Sequence, residues 1–168
     1  MAADKYANQG YVFVVPTLNT LSFAELATFV SVFEKKAFLV NRIEYFLGVD
    51  GMEEMDAEAD TVSYGLSTSN KFASANIAEP TIFDFNNKFV VLQAAGVSSH
   101  IISQPFVKDL STLPGGGALV PCRPIFLFMV STGWVAASRI DARIYFTVVD
   151  LKAEEYWELV EATRLVGT

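Results

Sequence analysis

Arg139-Ile-Asp-Ala-Arg-Ile-Tyr-Phe-Thr-Val-Val149 is the stretch that decides the fold. Ile140, Ala142, Ile144, Phe146 and Val148 fall on one face of a pleated strand, and Arg139, Asp141, Arg143, Tyr145 and Thr147 on the other. The period is two without a slip, because successive side chains of an extended chain point to opposite sides. Such a strand has one apolar face to bury and one polar face to show. Ile125–Ser131 precedes it as another strand, with Pro121 and Pro124 ahead and Gly133 behind, and a charged helix, Leu151–Leu165, follows directly.

Toward the amino terminus the same reading finds further strands. Tyr11–Val15 is ended by Pro16 and belongs on a sheet edge. Ala37–Leu47 sends Arg42 and Glu44 one way and Ile43, Tyr45 and Leu47 the other, and Thr61–Thr68 groups Val62, Tyr64 and Leu66 on one face. Lys88–Ala94 and Ser98–Val107 are joined near Gly96, with Pro105 ending the latter or marking an edge. Phe23–Lys35 is read as a strand, with a short helix as the alternative. Ser22 and Glu25 have the spacing of a helix capping box, while Thr28, Val30 and Val32 alternate as in a strand that turns near Glu34. Asn70–Pro80 is a polar loop, and Thr81–Phe85 is a short extended piece before the turn signal Asn86-Asn87. About eight strands ahead of one short helix predict an all-β antiparallel sandwich, a single domain over 1–168 with the helix at 151–165.

Composition narrows the class of function. Of 168 residues, 52% are hydrophobic and 18% charged, which is below the roughly 25% charged of an ordinary domain. No apolar run approaches the ~20 residues that cross a bilayer; the longest, Ile125–Val130, is strand-sized. So much apolar surface predicts that part of it lies between subunits, since permanent interfaces resemble a core cut in half. The net charge is −7, and the basic residues are scattered. Packaging nucleic acid draws on many Lys and Arg contacts to phosphate, so direct binding is not expected. Met1–Tyr6 has neither a basic arm nor the pattern of a signal peptide, Cys122 is the only cysteine, and no Asn-x-Ser/Thr sequon occurs. Together these point to assembly in a cytoplasm.

Candidates for chemistry are few. His100, the only histidine, shares a strand face with Ser98, but no nucleophile-elbow pattern surrounds them. One histidine and one cysteine leave too few ligands for a typical zinc site. Asp50–Asp60 holds six acids, yet the EF-hand register fails, because its glycine position from Asp56 is Thr61 and its twelfth is Ser67. A solvated acidic loop is expected. Leu113-Pro-Gly-Gly-Gly117 is followed by Ala118-Leu119 where a phosphate loop requires Lys-Ser/Thr, so it reads as a turn or hinge. Cys122 reads as a small buried residue, and the fourteen Phe as core and interface packing. The reading therefore predicts no enzyme, no cofactor and no metal.

In the helix, Asp150 is a suitable N-cap, and Glu154 and Glu155 sit where the macrodipole favours negative charge. Tyr156, Trp157, Leu159 and Val160 share a broad apolar face opposite Glu154, Glu158 and Glu161. These four are the candidate interface residues. Both a helix folded back on its own sandwich and a clasp on a neighbouring subunit fit the pattern.

Leu113-Pro-Gly-Gly-Gly117, Arg123-Pro-Ile-Phe-Leu127 and Ala142-Arg-Ile-Tyr-Phe-Thr147 sit in a layout that resembles the small single jelly-roll coat proteins of tailless icosahedral viruses of archaea and bacteria. The resemblance is one of layout over most of the chain: many strands, compact termini, and a last strand leading into an acidic, aromatic helix. It implies a jelly roll of two four-stranded sheets. It also implies a capsid protein that assembles with itself and other capsid proteins into a virion, near an internal membrane in many such viruses. A jelly-roll module that binds carbohydrate or a small ligand is the alternative, its aromatics lining a groove instead of an interface.

Overall fold

The computed structural model of the chain describes residues 8–26, 35–48, 60–89, 105–121 and 123–165. In chain order the strands are β1 (Asn8–Val14), β2 (Ser22–Leu26), β3 (Lys36–Leu47), β4 (Thr61–Ser67), β5 (Ile82–Phe89), β6 (Phe106–Asp109), β7 (Ala118–Pro121), β8 (Ile125–Thr132) and β9 (Ile140–Asp150), followed by helix α1 (Ala153–Leu165). The first pairs with the last, β2 with β8, β3 with both β7 and β6, and β4 with β5, all antiparallel. This is one long hairpin folded back on itself. Wrapping it so that β9 also pairs with β3, and β8 with β4, gives the sheets β1-β9-β3-β6, with β7 also on β3, and β2-β8-β4-β5. An all-β antiparallel sandwich with jelly-roll connectivity results.

The core follows from strict alternation. Ile140, Ala142 and Ile144 of β9, Val62, Tyr64 and Leu66 of β4, and Ile125, Leu127 and Met129 of β8 are all fully buried between the sheets. Val12 and Val14 of β1 join them, with Phe146 and Val148 packed against the margin. In β3 a register shift between Val40 and Arg42 inserts one extra residue, Asn41. An extra residue flips the parity of a strand. Phe38 and Val40 therefore face inward before it, and Ile43, Tyr45 and Leu47 after it.

The same bulge splits the neighbouring edge. β6 pairs with Arg42–Tyr45 and β7 with Ala37–Val40. Between them the chain leaves the sheet at Leu110, whose N–H donates to the Asn41 carbonyl at 2.7 Å, and the Asn41 amide donates to the Gly116 carbonyl at 2.6 Å. The glycine triplet is this turn. Gly115 and Gly116 take φ of 90° and 81°, and a Cβ on Gly117 would lie 2.5 Å from the Val40 carbonyl oxygen. Two short strands thus share the one place beside β3.

Several expectations are corrected. β5 runs straight through Asn86-Asn87, where a turn was predicted, because seven residues of β4 pair with it and Asn86 turns inward to donate to Asp84 at 2.9 Å. Of the two readings of Phe23–Lys35 the strand holds over the described part, Ser22–Leu26, where the capping-box spacing marks no helix; 27–34 lie outside the described residues. Ser22 instead accepts from the Thr17 N–H at 3.1 Å. Pro105 precedes β6 rather than closing it, and β6 does lie at the sheet edge, the other position that proline allowed; β7 had no sequence signal of its own. Asp150 ends β9; the helix is capped at Lys152, whose N–H donates to Glu155 at 2.9 Å, one half of a capping box.

Candidate functional site

Helix α1 lies on the outer face of the β3 sheet at its β7 side. Tyr156 and Val160 are buried there against Ala37, Val149 and Leu151, with Leu39 and Leu159 at the rim. The helix is therefore folded back on its own sandwich. Of the four candidate interface residues, Tyr156 and Val160 are inside this small second core and Leu159 is half-buried. Trp157 points away, 58% exposed, with its ring 5.8 Å from that of Tyr156.

Further exposed apolar surface lies on β1. Val12 and Val14 fill the core, so alternation sends Tyr11 and Phe13 outward, 52% and 46% exposed. Pairing with β9 sets Tyr11 beside Arg143 and Phe13 beside Asp141. The Arg139 guanidinium lies over the Phe13 ring at 4.0 Å, and its Nε donates to both Asp141 carboxylate oxygens at 2.9 and 3.0 Å. The Tyr11 hydroxyl donates to Asp141 and accepts from Arg139. The hydrogen bond to Asp141, followed by partial burial, raises the Tyr11 pKa. One strand further in, Glu44 holds Arg42 at 2.6 Å and Arg143 at 3.6 Å and accepts from Tyr145 at 3.3 Å. Tyr11, Phe46, Arg139, Asp141 and Arg143 line a shallow hollow of about 300 Å³. It is an aromatic strip backed by a ladder of ion pairs, suited to stacking against another surface.

A second feature sits where β5 and β6, the adjoining edges of the two sheets, leave the sandwich open. A groove of about 460 Å³ is lined by Ile77, Phe83, Asp84, Phe85, Lys108 and Leu110, among others. The Asp84 side chain, 4% exposed, accepts from the Tyr45 hydroxyl, Lys108 Nζ and the Asn86 amide. Lys108 also donates to the Phe85 carbonyl at 3.0 Å. Burial, then the Asp84 charge, pushes the Tyr45 pKa well up; Tyr64 beside it is raised for the same reasons. Lys88, lowered by burial, lies over the Tyr64 and Phe106 rings at 5.8 and 5.7 Å. Protein groups bond both oxygens of Asp84, which makes the cluster a clamp across the open edge.

Ser98, His100, Cys122 and the acidic loop up to Ala59 lie outside the described residues. Its last member, Asp60, is buried, and its Oδ1 comes so close to Gly133 that a Cβ there would lie 2.1 Å away. Among the described residues no three His, Cys, Asp or Glu are grouped to hold a metal ion, and no helix is long and apolar enough to cross a membrane. Sequence reasoning missed both the Tyr11–Arg139 strip and the Asp84 clamp. Their members are 128 and 39 residues apart, and only that Tyr11 and Phe13 share one face of a strand was legible locally. No protein-family model and no curated protein matches the chain.

Proposed function

We propose that this chain is a structural protein, the coat subunit of a viral shell, which assembles with further copies and with other capsid proteins through apolar and aromatic surface. One observation carries the reading. With the inner faces of both sheets filled, Tyr11, Phe13, Val15 and Trp157 still stand about half exposed or more. Burying such surface is worth roughly 25 cal/mol per Å², repeated at every contact of a shell. The jelly-roll connectivity agrees by analogy, although a fold alone does not give a function. In this reading no residue has a catalytic role, and the product is a virion assembled in the host cytoplasm. Light scattering coupled to size exclusion, with electron microscopy of the eluted peak, tests it: oligomers or particles are expected, and a monomer persisting at high concentration overturns it.

The groove beside Asp84 favours a second reading, a module that binds carbohydrate or another small ligand. Phe83 and Phe85 offer apolar walls, and Lys108 and Asp109 offer polar groups. A glycan array showing selective binding that Lys108→Ala removes is the expected result for that reading; an empty array dismisses its carbohydrate form.

A further inference from the structure

We infer that the edge of β1 with which no described strand pairs is the seam between two copies, each β1 pairing antiparallel with the β1 of the other about a two-fold axis. The sheet β1-β9-β3 would then continue from one subunit into the next. This rests on the assembly reading above and names its contact.

The first ground is the contrast among sheet edges. An unpaired strand edge is a template for another chain, and proteins blunt it with charge, proline, bulges or short length. Among the described residues each other edge carries such a device. β2 is five residues with Glu25, β6 is four residues with Lys108 and Asp109 behind Pro105, and β7 is four residues ending in Pro121. β5 carries Lys88, and its pairing with β4 is irregular at Ser67. β1 stands at the end of its sheet with seven residues, Asn8–Val14, that hold no charge and no proline and pair with β9 without a shift.

The second ground identifies the occupant. A chain of net charge −7 repels its own copies over most approaches. On the outer face behind β1, however, three guanidiniums, Arg42, Arg139 and Arg143, stand against two carboxylates, Glu44 and Asp141. Negative surface does not meet negative surface there. A second β1 also matches the first in alternation. Antiparallel pairing keeps opposed residues on one face, so Val12 and Val14 of both copies stay toward the cores, while Tyr11 and Phe13 of both form one outward aromatic strip. An isologous contact of this kind closes on itself as a dimer, the unit from which larger assemblies are built.

Hydrogen exchange on the full-length protein, dilute and concentrated, tests the seam. Alternate amides of β1, those directed away from β9, are expected to exchange at least ten-fold more slowly in the concentrated sample. Phe13→Lys is expected to weaken self-association at least ten-fold with an unchanged circular dichroism spectrum, and Ile77→Lys, at an apolar site 83% exposed on the opposite side of the fold, to leave it alone. If Phe13→Lys unfolds, Gln9→Lys, outward and exposed on the same strand, is expected to give the same weakening. Assembly with β1 amides that exchange equally fast at both concentrations, or unaffected by the folded lysine variants, overturns the seam and leaves the assembly reading standing. A monomer at every concentration overturns both.

Discussion

Single residues at the Asp84 clamp carry unequal burdens. Asp84→Ala leaves the buried Tyr45 hydroxyl without its acceptor and Lys108 with only the Phe85 carbonyl. A loss of about 3 kcal/mol is expected by urea unfolding, the size typical of breaking a buried pair from one side. Gly65 is intolerant for a steric reason: a Cβ there would sit 2.0 Å from the Asp84 carbonyl oxygen. Gly65→Ala is expected to lower stability by about 3 kcal/mol, as overpacking does when backbone must move. The buried tyrosines set the alkaline limit. Tyr45 and Tyr64 have pKa values raised above the ordinary 10.0, so the stability gained by keeping them neutral is complete below pH 10. It is lost as pH rises through their folded values, at about 1.4 kcal/mol per pH unit for each tyrosine. Lys88, lowered from 10.5, acts in the opposite sense, adding stability as pH climbs toward that value. The net fall is therefore steepest above it. Tyr64→Phe is expected to make that alkaline slope shallower by about 1.4 kcal/mol per pH unit in denaturant titrations at stepped pH.

Among the elements, α1 and β3 show how one chain segment serves two sides. The inward face of β3 fills the sandwich, and Ala37 on its outward side, with Val149 of β9, receives Tyr156 and Val160 of the helix. Tyr156→Ala is therefore expected to cost about 3 kcal/mol, near the range for large aromatic truncations, while Trp157→Ala stays within about 0.5 kcal/mol, as for surface sites. Thermal melts of the two variants separate these outcomes. The helix pattern alone gave Tyr156 and Trp157 the same face, because a 100° step places neighbours together in a broad apolar arc. Only docking against a sheet chose which of the two went in. The split edge of β6 and β7 has the same character. Asn41 looks like an ordinary strand residue in Ala37–Leu47, and its role as the bulge that parts the two strands depends on partners 69 and 75 residues away. Asn41→Ala is expected to cost about 1 kcal/mol, one net hydrogen bond, and to speed amide exchange across 110–117 before any global change.

At the scale of the whole molecule, the proposed apolar assembly and a net charge of −7 oppose each other. Salt screens the repulsion over a Debye length of ~10 Å at 0.1 M and leaves apolar contacts intact, so adding salt to about 0.3 M is expected to strengthen self-association. Analytical ultracentrifugation reads this directly, and weakening by salt points to an interface held by ion pairs instead. Parity and punctuation were enough to lay down most of this architecture. The alternation in Arg139–Val149 and Thr61–Thr68 fixed strands and inward faces, since burial on one side of a pleat writes a period of two into the chain itself. Pro16 and Gly115–Gly117 marked breaks by the backbone angles they require. What the linear order could not hold was which strand lies beside which. The pairing of β1 with β9, the strand run through Asn86-Asn87, the Asp84 clamp and the place of β1 at the end of the described sheet all rest on contacts between distant residues. Their energy depends on neighbours that local propensity does not see, and the tertiary structure alone decided them.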